Sequence, residues 1–139
     1  VTVLSPREAS IFACVADTLL APAPPLPPIA QTDAVRAFDA WLAGAPRTNR
    51  MGLRAVLLGL ELAPRLTRAR TRWRRLSPPA RLALLERLAQ RPGGRALVEA
   101  LRASAAVSYY GDAQVSALLG YVPGADDAAG RRSLPETGR

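Results

Sequence analysis

Histidine is absent from this sequence. With it go His-based catalytic triads, His-containing zinc sites and haem held by an imidazole. Lysine is absent too, because all 19 basic residues are arginine. There is one cysteine, Cys14, so no internal disulfide can form and cysteine spacing says nothing of a redox compartment. Cys14 lies in the apolar run Ile11-Phe12-Ala13-Cys14-Val15, where a cysteine acts as a small hydrophobe. Aromatic residues make up only 5%, which leaves Leu, Val and Ala to build the core. The apolar runs, such as residues 55–60, fall well short of the roughly 20 residues a membrane-spanning helix needs.

What is present suits one helical domain. A chain of 139 residues buries about 65–70% of its unfolded surface on folding. Hydrophobic residues make up 49%, ordinary for a globular chain and too high for a disordered one. The net charge is +8. A GC-rich coding bias is the plain explanation for arginine replacing lysine, but the physical consequence stands: arginine stays charged, forks onto carboxylates and phosphates, and stacks on aromatic rings.

Helix signals follow one another along the chain. Ser5-Pro6-Arg7-Glu8 reads as a capping box with proline in the first turn, followed by Ile11, Phe12, Val15 and Leu19 on one face. The proline-rich residues 22–28 cannot stay helical and are expected to run extended, as a strap over the surface or as a polyproline ligand. A second helix is expected over 32–43, with Val35, Phe38 and Leu42 inward and Gly44 past its end. A third follows Asn49 and carries Leu53, Val56, Leu57 and Leu60 as far as Pro64. Ser77 and Pro78 start a fourth, with Leu82, Leu85 and Leu88 inward. The Gly93-Gly94 pair separates it from a fifth over 95–109, whose buried set is expected to be Leu97, Val98, Leu101, Ala105 and Val107. A short sixth runs over 112–119 and ends at Gly120. Leu-Ser-Pro occurs at Leu4 and again at Leu76, but the sequences downstream diverge, so this is no internal repeat. No stretch alternates with period two. The fold class is therefore all-α: a bundle of five to six helices over residues 1–123, with a proline-rich strap and a flexible, polar tail over 124–139.

Two stretches could carry function. Six arginines crowd residues 65–75 around Trp73; if the segment is helical, Arg65, Arg68 and Arg72 share a face. It reads as a solvated basic face, or as an interface with an acidic partner anchored by Arg68, Arg72 and Trp73, since Trp and Arg are enriched in binding hot spots. Nucleic acid or an anionic membrane surface is a third reading, disfavoured because no recognised DNA- or RNA-binding motif accompanies the charge. The second stretch holds all three tyrosines: Tyr109-Tyr110-Gly111-Asp112, then Leu119-Gly120-Tyr121. It reads as a corner between helices packed on the core, or as an aromatic patch facing a partner. Tyr109 falls on the core stripe of its helix, whereas Tyr110 and Tyr121 are the candidates to meet a partner. No catalytic constellation or glycine-rich phosphate loop appears, and carboxylates are scattered, with Asp126-Asp127 the one adjacent pair.

The order of these motifs resembles the gluconate 2-dehydrogenase subunit 3 family. The resemblance rests on Leu4-Ser5-Pro6, then Ala16-Asp17-Thr18-Leu19-Leu20 leading into prolines, then Tyr109-Tyr110-Gly111-Asp112 and Leu119-Gly120-Tyr121, spanning about residues 4–123. The N-terminal part is also similar to the region before the flavin domain of long-chain fatty alcohol oxidases. The resemblance implies a small, non-catalytic accessory subunit, with no cofactor of its own, that binds a large FAD-dependent oxidoreductase of the glucose-methanol-choline type. Asp17, Thr18, Tyr109 to Asp112 and Leu119 to Tyr121 would then be structural or interface residues.

Several members of that family begin with a twin-arginine leader, and this chain begins almost on its first helix. The expectation is a cytoplasmic protein, or one exported with its partner and stripped of a leader. Residues 134–138, Leu-Pro-Glu-Thr-Gly, match a sortase recognition motif; wall anchoring also needs a hydrophobic segment and basic tail, so a tag-like or chance match is expected.

Overall fold

The computed structural model describes residues 2–66 and 70–120. Among them are six α-helices and no strand: α1 (Pro6–Leu20), α2 (Ala34–Ala43), α3 (Arg47–Leu62), α4 (Pro78–Ala89), α5 (Gly94–Tyr110) and α6 (Ala113–Leu118). Three short 3₁₀ turns, Ile29–Gln31, Ala63–Leu66 and Trp73–Arg75, sit between them. The fold is all-α, as the periodicity predicts.

Local chemistry explains the helix starts. Ser5 Oγ accepts from the Glu8 amide and Glu8 Oε2 accepts from the Ser5 amide at 2.8 Å, closing the capping box. Ser77 caps α4 ahead of Pro78, and Asp112 caps α6 by accepting from the Gln114 and Val115 amides. The break between α4 and α5 is tighter than a loose Gly-Gly hinge. A Cβ on Gly94 would lie 1.8 Å from the Leu88 carbonyl oxygen, so only glycine lets the two backbones approach there.

α1 is the central helix, in contact with α2, α3, α4 and α5. It buries Ile11, Phe12, Val15 and Ala16. Phe12 stacks face to face on Phe38 of α2, with centroids 3.8 Å apart. Leu42, Leu57, Leu85, Leu101 and Tyr109 complete the surrounding core. Each fully buried side chain of this size contributes about 1.5–3 kcal/mol.

The structure corrects the sequence reading at four places. Val107 is 76% exposed and Leu82 is 42% exposed, so neither belongs to the core. Val107 precedes Ser108 and Tyr109, which are buried; one residue is about 100° of helix rotation, enough to turn it outward. The strap is not extended throughout: Leu26 N–H donates to Ala23 O at 2.9 Å, closing a turn around a cis Pro24-Pro25 bond. The described part of the basic segment is not one α-helix. Its described residues form two 3₁₀ turns, with Arg70 between them in left-handed backbone (φ 43°), so Arg65 and Arg72 do not share a helical face. Arg68, Tyr121, the expected domain end at 123 and the tail over 124–139 lie outside the described residues.

Candidate binding surfaces

Most of the carboxylates among the described residues, scattered in sequence, are spent on holding the chain together. Three of them, with Tyr109, fasten the N-terminal segment and the strap. Asp39 Oδ1 accepts from the Val3 and Leu4 amides at 3.0 and 2.7 Å. Asp17 Oδ1 accepts from the Ile29 amide at 2.9 Å, and Tyr109 Oη donates to the Pro27 carbonyl at 2.6 Å. Asp112 Oδ2 accepts from the Asp33 amide at 2.8 Å while its other oxygen caps α6. Asp17, Tyr109 and Asp112 thus come from both ends of the chain to grip residues 27–33. Burial is the largest influence on the Asp112 carboxyl and would raise it, but the Asp33, Val115 and Gln114 amides together outweigh it and hold it below the usual range. Burial pushes the Tyr109 phenol up, with Tyr110, Asp17 and Asp112 adding to the effect. Gly111 is required at this corner, since a Cβ would come within 2.8 Å of the Val107 carbonyl oxygen.

Two buried glutamates make the longer-range ion pairs. Glu8 meets Arg54 of α3 at 2.7 Å. Glu61, fully buried, receives the Arg74 guanidinium at 3.0 Å. Burial by itself would raise the Glu8 carboxyl, but its bonds to Arg54 and to Ser5 outweigh that and leave it below 4.5. A carboxyl depressed on folding adds stability above its unfolded value and loses it as pH falls through the folded value. Glu8→Gln is therefore expected to destabilise the protein at neutral pH, with the gap to wild type closing as pH drops below about 4.5. Urea melts of both proteins across that range check this; a gap independent of pH would remove Glu8 from the acid response.

The basic segment does not present the surface its sequence suggests. Trp73, expected to anchor a partner, is 0% exposed and belongs to the core. Its indole N–H finds no nitrogen or oxygen acceptor among the described residues and lies toward the Cys14 thiol. Burial pushes the neighbouring Cys14 thiol up, partly opposed by Arg81 and by the Trp73 indole, which suits the filler role read from its sequence context. Arg74 is committed to Glu61 and also reaches Ser10 Oγ at 3.3 Å. Arg81 of α4 donates to the Arg74 carbonyl at 2.7 Å. Arg65, Arg70, Arg72 and Arg75 stay exposed. Of the residues expected at an interface here, Arg72 alone is both described and available.

The tyrosine corner separates as its helix phase predicts. Tyr109 is fully buried and Tyr110 is 44% exposed. The rings still touch edge to face, with centroids 5.2 Å apart. Tyr110 ends a stripe that the sequence reading did not isolate. Ala96, Ala100, Ala103, Val107 and Tyr110 recur at spacings of four and three along α5, and all five are exposed. Beside this stripe stands Trp41 of α2, 61% exposed. Trp41, Ala37 and Phe38 face Ala103, Ser104 and Val107 across a groove of about 320 Å³ whose lining, among the described residues, carries no charge. The out-of-phase Val107 was the available signal for this face.

No family model matches the chain, and neither a curated protein nor a solved structure is significantly similar to it. Among the described residues, no group of three or more Cys, Asp or Glu side chains converges as a metal site would require. No helix among them is long and apolar enough to cross a membrane.

Proposed function

We propose that this chain is a non-catalytic helical subunit that binds and stabilises a large FAD-dependent alcohol or sugar oxidoreductase of the glucose-methanol-choline type. The observation that supports a binding role is the uncharged α2–α5 face. Single exposed apolar side chains are normal on a protein surface. A tryptophan beside a whole apolar helix stripe is a contiguous patch of the kind that marks interaction sites. The flavoprotein as the partner rests on the motif resemblance from Leu4 to Tyr121. The flavin and the reacting groups belong, on this reading, to the large subunit. The strap grip of Asp17, Tyr109 and Asp112 gives those motif positions a structural role, in keeping with it.

The deciding experiment is co-purification of the tagged chain from its native host, with the eluate read for a large flavin-containing protein. The purified chain alone is expected to be colourless and inert; stoichiometric bound flavin or turnover by it would overturn the reading. Val107→Asp and Tyr110→Ala are expected to change stability by only about 0.5 kcal/mol, as surface substitutions do. They should weaken the complex by roughly 2 kcal/mol or more if these residues are hot spots. Tyr109→Ala is the contrast, costing roughly 2–4 kcal/mol of stability as core truncations do. Thermal melts and pull-downs on the three variants separate the roles. The exposed Arg65, Arg70, Arg72 and Arg75 support a second reading, a basic module for nucleic acid or an anionic membrane. Micromolar DNA binding with a steep salt dependence would favour it.

A further inference from the structure

A second apolar surface lies between α3, its 3₁₀ continuation and α4, and the partner reading does not use it. Here the chain encloses an open-mouthed cavity of about 430 Å³. Val56, Leu60 and Ala63 form one wall, and Leu84 and Leu88 the other. Among the described residues, the charged side chains lining it are Arg87 and Arg91, at the C-terminal end of α4, and no acidic side chain lines it. Both arginines are exposed, and neither forms an ion pair among the described residues. The carbonyls ending α4 favour cations there without neutralising the pair.

Gly59 is the second observation. It lies in the interior of α3 and lines the cavity, and a Cβ there, as at Gly52 of the same helix, would meet nothing within 4 Å among the described residues. The chain's own packing therefore does not require a glycine, which weakens a helix interior. A side chain placed there would enter the cavity that Gly59 lines.

We propose that this groove binds a single-chain anionic amphiphile, a fatty carboxylate, with its acyl chain between the leucine walls and its head on Arg87 and Arg91. The apolar walls take the chain, and a guanidinium fork matches a carboxylate. A volume of about 430 Å³ falls in the range of about 300–1,000 Å³ typical of small-ligand sites, and a partner helix would need a larger surface than this cavity offers.

The test is calorimetric titration of the purified chain with dodecanoate below its aggregation threshold, alongside dodecanol and dodecyltrimethylammonium. One saturable site of micromolar affinity is expected for dodecanoate, with the cationic amphiphile far weaker. Gly59→Phe, which fills the groove from a position with free space, should cut dodecanoate affinity by about tenfold or more while leaving helicity unchanged. The double variant Arg87→Ala/Arg91→Ala should lose most dodecanoate affinity and keep that for dodecanol. Because both arginines are exposed, this variant keeps the test decisive should Gly59→Phe fold poorly. Absence of saturable dodecanoate binding, equal affinity for the cationic amphiphile, or undiminished binding by either folded variant would overturn the proposal.

Discussion

Trp73→Ala is expected to cost about 3–5 kcal/mol of stability, the scale of large aromatic truncations in a core. The side chain is the largest of the fully buried ones, and it enters the core from a 3₁₀ turn of three residues. A short turn has little stability of its own, so the indole is what seats this segment against α1 and α3, both of which contact it. Trp73→Phe should cost much less. It keeps most of the apolar contact and removes a buried indole N–H that has no nitrogen or oxygen acceptor among the described residues, a burden of about 1–3 kcal/mol for a typical polar group. Urea denaturation of the three proteins gives the ranking. The same experiment separates the core role from an anchoring one. An anchor replaced by alanine would leave the melt unchanged and weaken only a complex, and that result would return Trp73 to the surface.

Trp73 also shows why part of this molecule was legible in sequence and part was not. Helix starts are local: Ser5 with Glu8, and Ser77 before Pro78, each satisfy amides within three residues. Nothing distant can move them, so cap and proline signals place α1 and α4 well. Core membership is local only while the helix phase is strict. It held for Ile11, Phe12, Val15, Leu101 and Tyr109, and failed for Val107 and Leu82, apolar residues whose phase leaves them in solvent. The basic segment failed for a different reason. Its arginines invite a uniform exposed helix, but whether Trp73 points in or out depends on a cavity assembled by α1, α3 and α4. One signal was available: Trp73 is the large apolar side chain among six arginines, and the Ser77 start of α4 leaves little room for a helix before it.

The carboxylate staples were the least legible feature. Asp17, Asp39 and Asp112 accept from amides 12, 35 or 36, and 79 residues away. No spacing rule encodes such pairs. Only the local half of Asp112, its cap on α6, could be read beforehand. The consequence reaches the surface. With Glu8 and Glu61 paired internally and three aspartates turned onto backbone amides, the exposed carboxylates among the described residues are Asp33, Glu86 and Glu99. The net charge of +8 favours acidic groups in any ligand or partner.

Arg74→Met is expected to be as damaging as Trp73→Ala, at about 3–5 kcal/mol, because it leaves a buried carboxylate without its cation. Glu61 is 0% exposed and takes both the Nε and Nη2 of Arg74 at 3.0 Å on one oxygen. Among the described residues, its other oxygen has the Arg74 backbone amide alone, at 3.4 Å. Losing the guanidinium therefore removes nearly all that compensates Glu61 for burial. The reverse change should be milder. Arg74 keeps 31% of its side chain exposed, so in Glu61→Leu the freed guanidinium can turn to water, and leucine fills most of the glutamate's volume. The double variant Glu61→Leu/Arg74→Met should lie close to Glu61→Leu alone, since replacing both partners by apolar groups strands no charge. Measured unfolding free energies for the two singles and the double complete a mutant cycle. The expected order places Arg74→Met well below the other two. If both single variants lost the same stability and the double lost their sum, the pair would be uncoupled and Glu61 would owe its tolerance of burial to something other than Arg74.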